Sequence, residues 1–135
     1  MSVAASIIGN AVVQDTTTGY GPSQLFSPAT NANLTAYSYL TNEPIPTSPT
    51  SITFPFGVTK LQFLFIRNLG TQSLQVTWTP SGGSSNIVTT LTANSVQGQP
   101  GGMIVLYEPD LTLGVTALSL QAITAATVAQ IIMAG

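Results

Sequence analysis

Apolar and polar positions alternate with a period of two through the second half of the chain, the pattern of half-buried strands. From Ser73 to Thr79, Leu74, Val76 and Trp78 fall on one side and Gln75, Thr77 and Thr79 on the other. That predicts a strand with one covered and one solvated face. Lys60–Asn68 is different, with Leu61, Phe63 and Phe65 on one face and Gln62, Leu64 and Ile66 on the other. Both faces are mostly apolar, so this segment reads as a central strand covered from two sides. Asn86–Thr92 places Ile87, Thr89 and Leu91 together, and Met103–Glu108, Val115–Ala122 and Thr127–Met133 complete the series. Turn residues separate these runs at Pro80–Ser85, Gln97–Gly102, Pro109–Gly114 and Thr124–Ala126. For the Ala-rich stretch Ala125–Ala134 a short helix is the alternative, but the β-branched Val128, Ile131 and Ile132 favour strand.

The first 58 residues are less regular. Val3–Gln14 and Asn33–Asn42 look extended, with Thr35, Tyr37 and Tyr39 on one side, while Thr16–Ser23 reads as loop. Pro44, Pro46 and Pro49 make Glu43–Thr50 a polyproline-like connector, because each fixes its own φ and restrains the residue before it. It suits either an inter-strand connection or an arm lying across a surface. The expected organisation is one domain: residues 1–58 as an extended, Pro-containing N-terminal region or arm with one or two strands, and 59–135 as a β-sandwich core. About eight or nine short strands at roughly ten-residue spacing describe an all-β, two-sheet β-sandwich of jelly-roll-like form.

Composition narrows the chemistry. Of 135 residues only 4% are charged, where about a quarter is usual. The polar surface is built from 20 Thr and 13 Ser against six charged residues, Asp15, Glu43, Lys60, Arg67, Glu108 and Asp110. The absence of Cys rules out disulfides, thiolate metal sites and thiol nucleophiles, and the absence of His removes the usual general base. No apolar run approaches the ~18–20 residues of a membrane span, and the start lacks a basic signal-peptide n-region. A soluble protein without a signal peptide is expected. Low charge favours association, so such a surface is either kept in solution by hydroxyls alone or covered by neighbours.

The few candidate reactive groups are scattered. Glu108 and Asp110 form the only close carboxylate pair, and in a Pro-containing turn they fit a solvated loop better than an acid–base cleft or a calcium site. Asp15, beside Thr16–Thr18, suits a local side-chain turn. Lys60 and Arg67 are seven positions apart, which period two sends to opposite faces, so they form no patch for phosphates and no nucleic-acid partner is expected. The Gly-rich turns lack the Lys-Ser/Thr and the strand–helix setting of phosphate loops. Serines have no His partner, so the expectation is no enzyme, no cofactor and no metal. Tyr37 and Tyr39 share a face that fits a sugar ring or, alternatively, cross-strand packing or a protein contact. Trp78 reads as core.

One further pattern concerns order. Phe65-Ile-Arg-Asn-Leu-Gly-Thr71, then Leu74–Thr79, a Gly/Ser turn, a Pro-Gly-Gly turn, Met103–Tyr107, Gly114–Leu120 and Val128–Gly135 follow one another. This succession resembles small virion structural proteins of tailed bacteriophages: capsid cement or decoration proteins, with tail and fibre-associated β-sandwich proteins as near relatives. The resemblance covers roughly residues 60–135 and brings no catalytic residue. It implies a non-enzymatic homo-oligomer on the capsid surface of a virion, made in the host cytoplasm, whose partners are the major capsid protein and copies of itself. Under that reading Tyr37, Tyr39, Ile45, Pro46 and Phe54 are the expected partner contacts. The alternatives are a tail or fibre-associated adaptor and, in another class, a glycan-binding module.

Overall fold

The computed structural model describes residues 3–5, 9–12, 23–26, 31–83, 85–93, 99, 101–108, 110 and 112–135, the first three groups and 31–33 by backbone alone. The described residues form twelve strands: β1 (Val3–Ala5), β2 (Gly9–Val12), β3 (Ser23–Phe26), β4 (Asn31–Leu34), β5 (Tyr37–Ile45), β6 (Thr50–Ser51), β7 (Phe63–Asn68), β8 (Leu74–Pro80), β9 (Ile87–Leu91), β10 (Met103–Tyr107), β11 (Val115–Ala122) and β12 (Thr127–Ala134). Val128, Ile131 and Ile132 do lie in a strand. The described residues contain no helix, and so none long and apolar enough to cross a membrane.

From β5 onward the pairing is nested. β5 pairs with β12, β6 with β11, β7 with β10 and β8 with β9, all antiparallel. The cross-pairs β7–β12 and β8–β11 join these into two four-stranded sheets, ordered β10-β7-β12-β5 and β6-β11-β8-β9. A long antiparallel hairpin rolled up in this way makes the two Greek keys of a jelly roll. The all-β, two-sheet sandwich expected from the alternation is therefore the fold of the chain.

The sheets face each other through the residues that alternation places inward. Leu64 and Ile66 of β7 and Ile131 and Met133 of β12 meet Leu74, Val76 and Trp78 of β8 and Leu118 and Leu120 of β11 in one core. On β9 only Leu91 enters that core, while Ile87 at the other end of the strand remains exposed. The Pro-rich connector takes the chain from one sheet to the other. Ile45 closes β5 opposite Thr127, Pro46 then accepts a hydrogen bond from the Ala122 N–H of β11 at 2.9 Å, and β6 pairs with the same strand. Pro44, which has no N–H to donate, is tolerated because β5 is an edge strand. The segment expected as an arm thus supplies one edge strand to each sheet. The two ribbons β1–β4 and β2–β3 pair with neither large sheet.

Of the buried polar side chains among the described residues, Gln62, Asn68 and Thr127, Asn68 is the most enclosed. Asn68, fully buried at the end of β7, donates from Nδ2 to the carbonyls of Gln72 at 2.8 Å and Leu91 at 3.1 Å. Its Oδ1 accepts from the Gly70 N–H at 3.1 Å and from the Thr127 hydroxyl at 3.2 Å. The side chain is satisfied on both ends and ties β7 to β9, β12 and the β7–β8 turn. Asn68→Ala leaves several buried groups without partners, and a loss of about 2–3 kcal/mol is expected. Urea unfolding of the variant beside wild type measures it; an unchanged midpoint would contradict the assigned role.

Candidate contact surface

The outward side of the β10-β7-β12-β5 sheet is also apolar. Register places Val105, Phe65, Ile132 and Tyr39 in one row across the four strands, and Tyr107, Phe63, Ala134 and Tyr37 in the next. A third row begins with Met103, Arg67 and Gln130, and lapses at β5, where the register shifts opposite Ala129–Ile131. A single antiparallel sheet with one solvated face ordinarily carries polar residues at such positions.

One end of this face is covered from within the chain. Leu34, the last residue of β4, is buried against Phe63 and Ala134, with Phe65, Tyr107 and Ile132 packed around them. Among the described residues the cover stops there. Tyr37 is 61% exposed, Tyr39 52%, Met103 61% and Val105 39%, so the uncovered part runs across all four strands from β10 to β5. At a strand spacing of about 4.8 Å it spans on the order of a few hundred Å², the size of the largest apolar patch on an ordinary monomer, which is often functional.

Polar groups on the face are few. Gln130 donates from Nε2 to the Tyr39 hydroxyl at 2.7 Å, which fixes the Tyr39 ring beside Ile132. Arg67 stands between Met103 and Gln130 in its row, with its Nε buried and without a hydrogen-bond partner. The result is a stiff, mostly uncharged surface of aromatic and aliphatic side chains with one guanidinium. Such a surface binds by excluding water from flat apolar area, the composition of an interface core.

The expected contact residues divide between this face and elsewhere. Tyr37 and Tyr39 lie on it, side by side on β5. Ile45 does not: it is 1% exposed inside the main core. The register shift in β5 breaks the simple alternation, so the side chain that continues the pattern after Tyr37 and Tyr39 turns inward. Pro46 is exposed but lies on the crossover toward β11, and Phe54 packs against the main core. Met103 and Val105 were not singled out by sequence reasoning. Their signal lay in β7, β10 and β12, three strands apolar on both sides.

The ionisable groups serve local structure. Glu108 accepts from the Asp110 N–H at 2.9 Å, and Asp110 accepts from the Thr112 N–H at 2.8 Å and its hydroxyl at 2.7 Å. Lys60 donates to the Thr112 carbonyl at 2.6 Å. The Thr112 hydroxyl, then its N–H, hold the Asp110 carboxyl below the usual carboxylate range. Among the described residues no group of three or more His, Cys, Asp or Glu side chains is placed to hold a metal ion. Asp15 lies outside the described residues. Beside the Thr112 loop, a depression of about 260 Å³ opens between the sheets. No family model, no curated protein and no solved structure matches the chain.

Two outcomes follow from this geometry. A depressed folded-state value gives Asp110 a contribution to stability that is present above the unfolded carboxyl range and lost as pH falls through the folded value. Between about pH 5 and about pH 3 the urea midpoint of wild type should fall more than that of Asp110→Asn, by a small margin because the group is exposed. Equal falls would show that the Thr112 bonds carry no linkage. On the sheet face, replacing Val105 and Tyr39 together by Ser should reduce binding of a hydrophobic fluorescent dye without lowering the melting temperature.

Proposed function

We propose that this chain is a non-enzymatic structural protein of a virion, a capsid cement or decoration protein that binds between major capsid subunits. The observation that carries the reading is the uncovered apolar face of the β10-β7-β12-β5 sheet on a chain with only six charged residues. A surface of that kind is a liability on a free protein and an asset on a subunit whose neighbours cover it. The jelly roll supports the reading only as a fold that viral capsid proteins share with lectins and cupins. The resemblance of residues 60–135 to bacteriophage virion proteins supplies the particular partner.

Mechanistically, the protein stabilises a shell by linkage: a ligand that binds the assembled lattice better than separated subunits shifts the balance toward assembly. The sheet face supplies contact area, with Tyr37, Tyr39, Val105 and Met103 as anchors. Flat aromatic and aliphatic contact, rather than ion pairing, predicts binding that high salt does not weaken. A tail or fibre-associated adaptor would use the same face at far fewer copies per particle.

Purified particles decide between these readings. Copy numbers comparable to that of the major capsid protein are expected, and a handful per particle would move the protein to the tail. Added back to stripped shells, Val105→Asp should bind roughly tenfold or more weakly, because it places a charge within the contact. Undiminished binding of that variant would refute the assignment of the face. Salt-insensitive wild-type binding completes the expected pattern.

A further inference from the structure

A single side chain stands out against the packing of its surroundings. Phe56 is 100% exposed, although the residues on either side of its turn are held down. Pro55 is buried, Val58 packs against the main core, and the Val58 N–H donates to the Pro55 carbonyl at 3.0 Å. Gly57 sits at φ 80, which gives the third position of a type II turn and leaves Phe56 at the second. That position has no need of an aromatic ring; proline is common there. The turn therefore presents an apolar knob on a fixed backbone, and the chain itself gives the ring nothing to pack against.

At the same end of the sandwich lies an apolar hole. The depression of about 260 Å³ between the sheets is lined by Leu61, Leu64, Trp78, Leu106, Leu113 and Val115, with the polar Gln62, Ser81 and Glu108 at its border. An enclosed apolar cavity of about 150 Å³ accepts a benzene ring, so an open depression of this size has room for the benzyl group of a phenylalanine. Lys60, four residues after Phe56, donates to Thr112 in the loop that forms one wall. Gly114 on that wall is at φ 119, and a Cβ there would strike the Leu61 carbonyl oxygen, so the wall lies close against the strand lead-in. Knob and hole are linked in the chain through Lys60 and Leu61, yet the ring is not in its own hole.

We propose that Phe56 inserts into this depression of a second copy of the chain, reciprocally, about a two-fold axis. A chain that carries both a knob and a hole meets the requirement of an isologous contact, in which each copy gives what the other receives. Charge is compatible: this end carries Lys60 together with Glu108 and Asp110, so facing copies can set unlike charges opposite one another. Two exchanged rings bury less than the ~800 Å² per partner of a standard interface. The pair is accordingly weak in dilute solution and gains strength where many copies are held close together. The inference extends the multi-copy reading above to contact between copies, and rests on that reading only for its place in an assembly.

Sedimentation of the full chain over a concentration series tests it without any shell, so its failure and that of shell binding are separate results. Wild type should show reversible dimer formation at high concentration. Phe56→Ser and Leu113→Asp, both at exposed positions, should melt like wild type and dimerise roughly tenfold or more weakly. An equal mixture of the two variants retains one intact knob-and-hole pair, from the Phe56 of one into the unaltered depression of the other. The mixture should therefore associate better than either variant alone. A wild type that stays monomeric throughout, variants that dimerise as wild type does, or a mixture no better than its parts would each overturn the proposal.

Discussion

The pairing of β7 with β12 is the constraint on which the rest of the structure depends. These two strands form the middle of one sheet, and each is apolar on both sides. Their inward residues, Leu64, Ile66, Ile131 and Met133, belong to the main core. Their outward residues, Phe63, Phe65, Ile132 and Ala134, form a second cluster that Leu34 covers only in part. Because the side-chain period is two, a slip of one residue would exchange these sets and bring Arg67 and Gln130 into the core. Asn68 marks the register at one point, since its Oδ1 accepts from Thr127 of β12, while its other bonds go to Leu91 of β9 and to the β7–β8 turn.

From that pair the nested topology follows outward. β5 and β10 complete the sheet as edges, and β8 and β11 do for the opposite layer what β7 and β12 do for the first. The second layer is one-sided in the ordinary way, with Gln75, Thr77 and Thr79 alternating with buried Leu74, Val76 and Trp78. The two layers differ in their outer faces, one polar and the other apolar. It is the apolar face, on a chain with few charges, that the proposed function assigns to contact.

Much of this was legible in the sequence because short, strictly alternating strands announce both their class and their inward face. Leu74, Val76 and Trp78 are the clearest case, and the two-sided pattern of Phe63–Ile66 correctly marked a central strand. β5 was harder to read. Its register shift interrupts the alternation, and Ile45, read as part of the Pro-containing arm, belongs to the core. The prolines around it marked a connector, but not that the connector crosses between sheets. The contact face itself is a property of four strands in register, and Met103 and Val105 join Tyr39 only through pairings far apart in the chain. Phe56 carries no periodic signal at all, because it lies in a turn.

Oxidative footprinting of the methionines tests the central claim, that the outer face of the β10-β7-β12-β5 sheet is buried by a partner. Met103 lies on that face and is 61% exposed in the free chain, while Met133 on the inner side of the same sheet is 0% exposed and serves as the internal standard. Met103 should oxidise readily in the isolated protein and be strongly protected in intact particles, with Met133 slow in both. Equal oxidation of Met103 in the two states would mean that the face stays open to water on the particle, and would contradict the account.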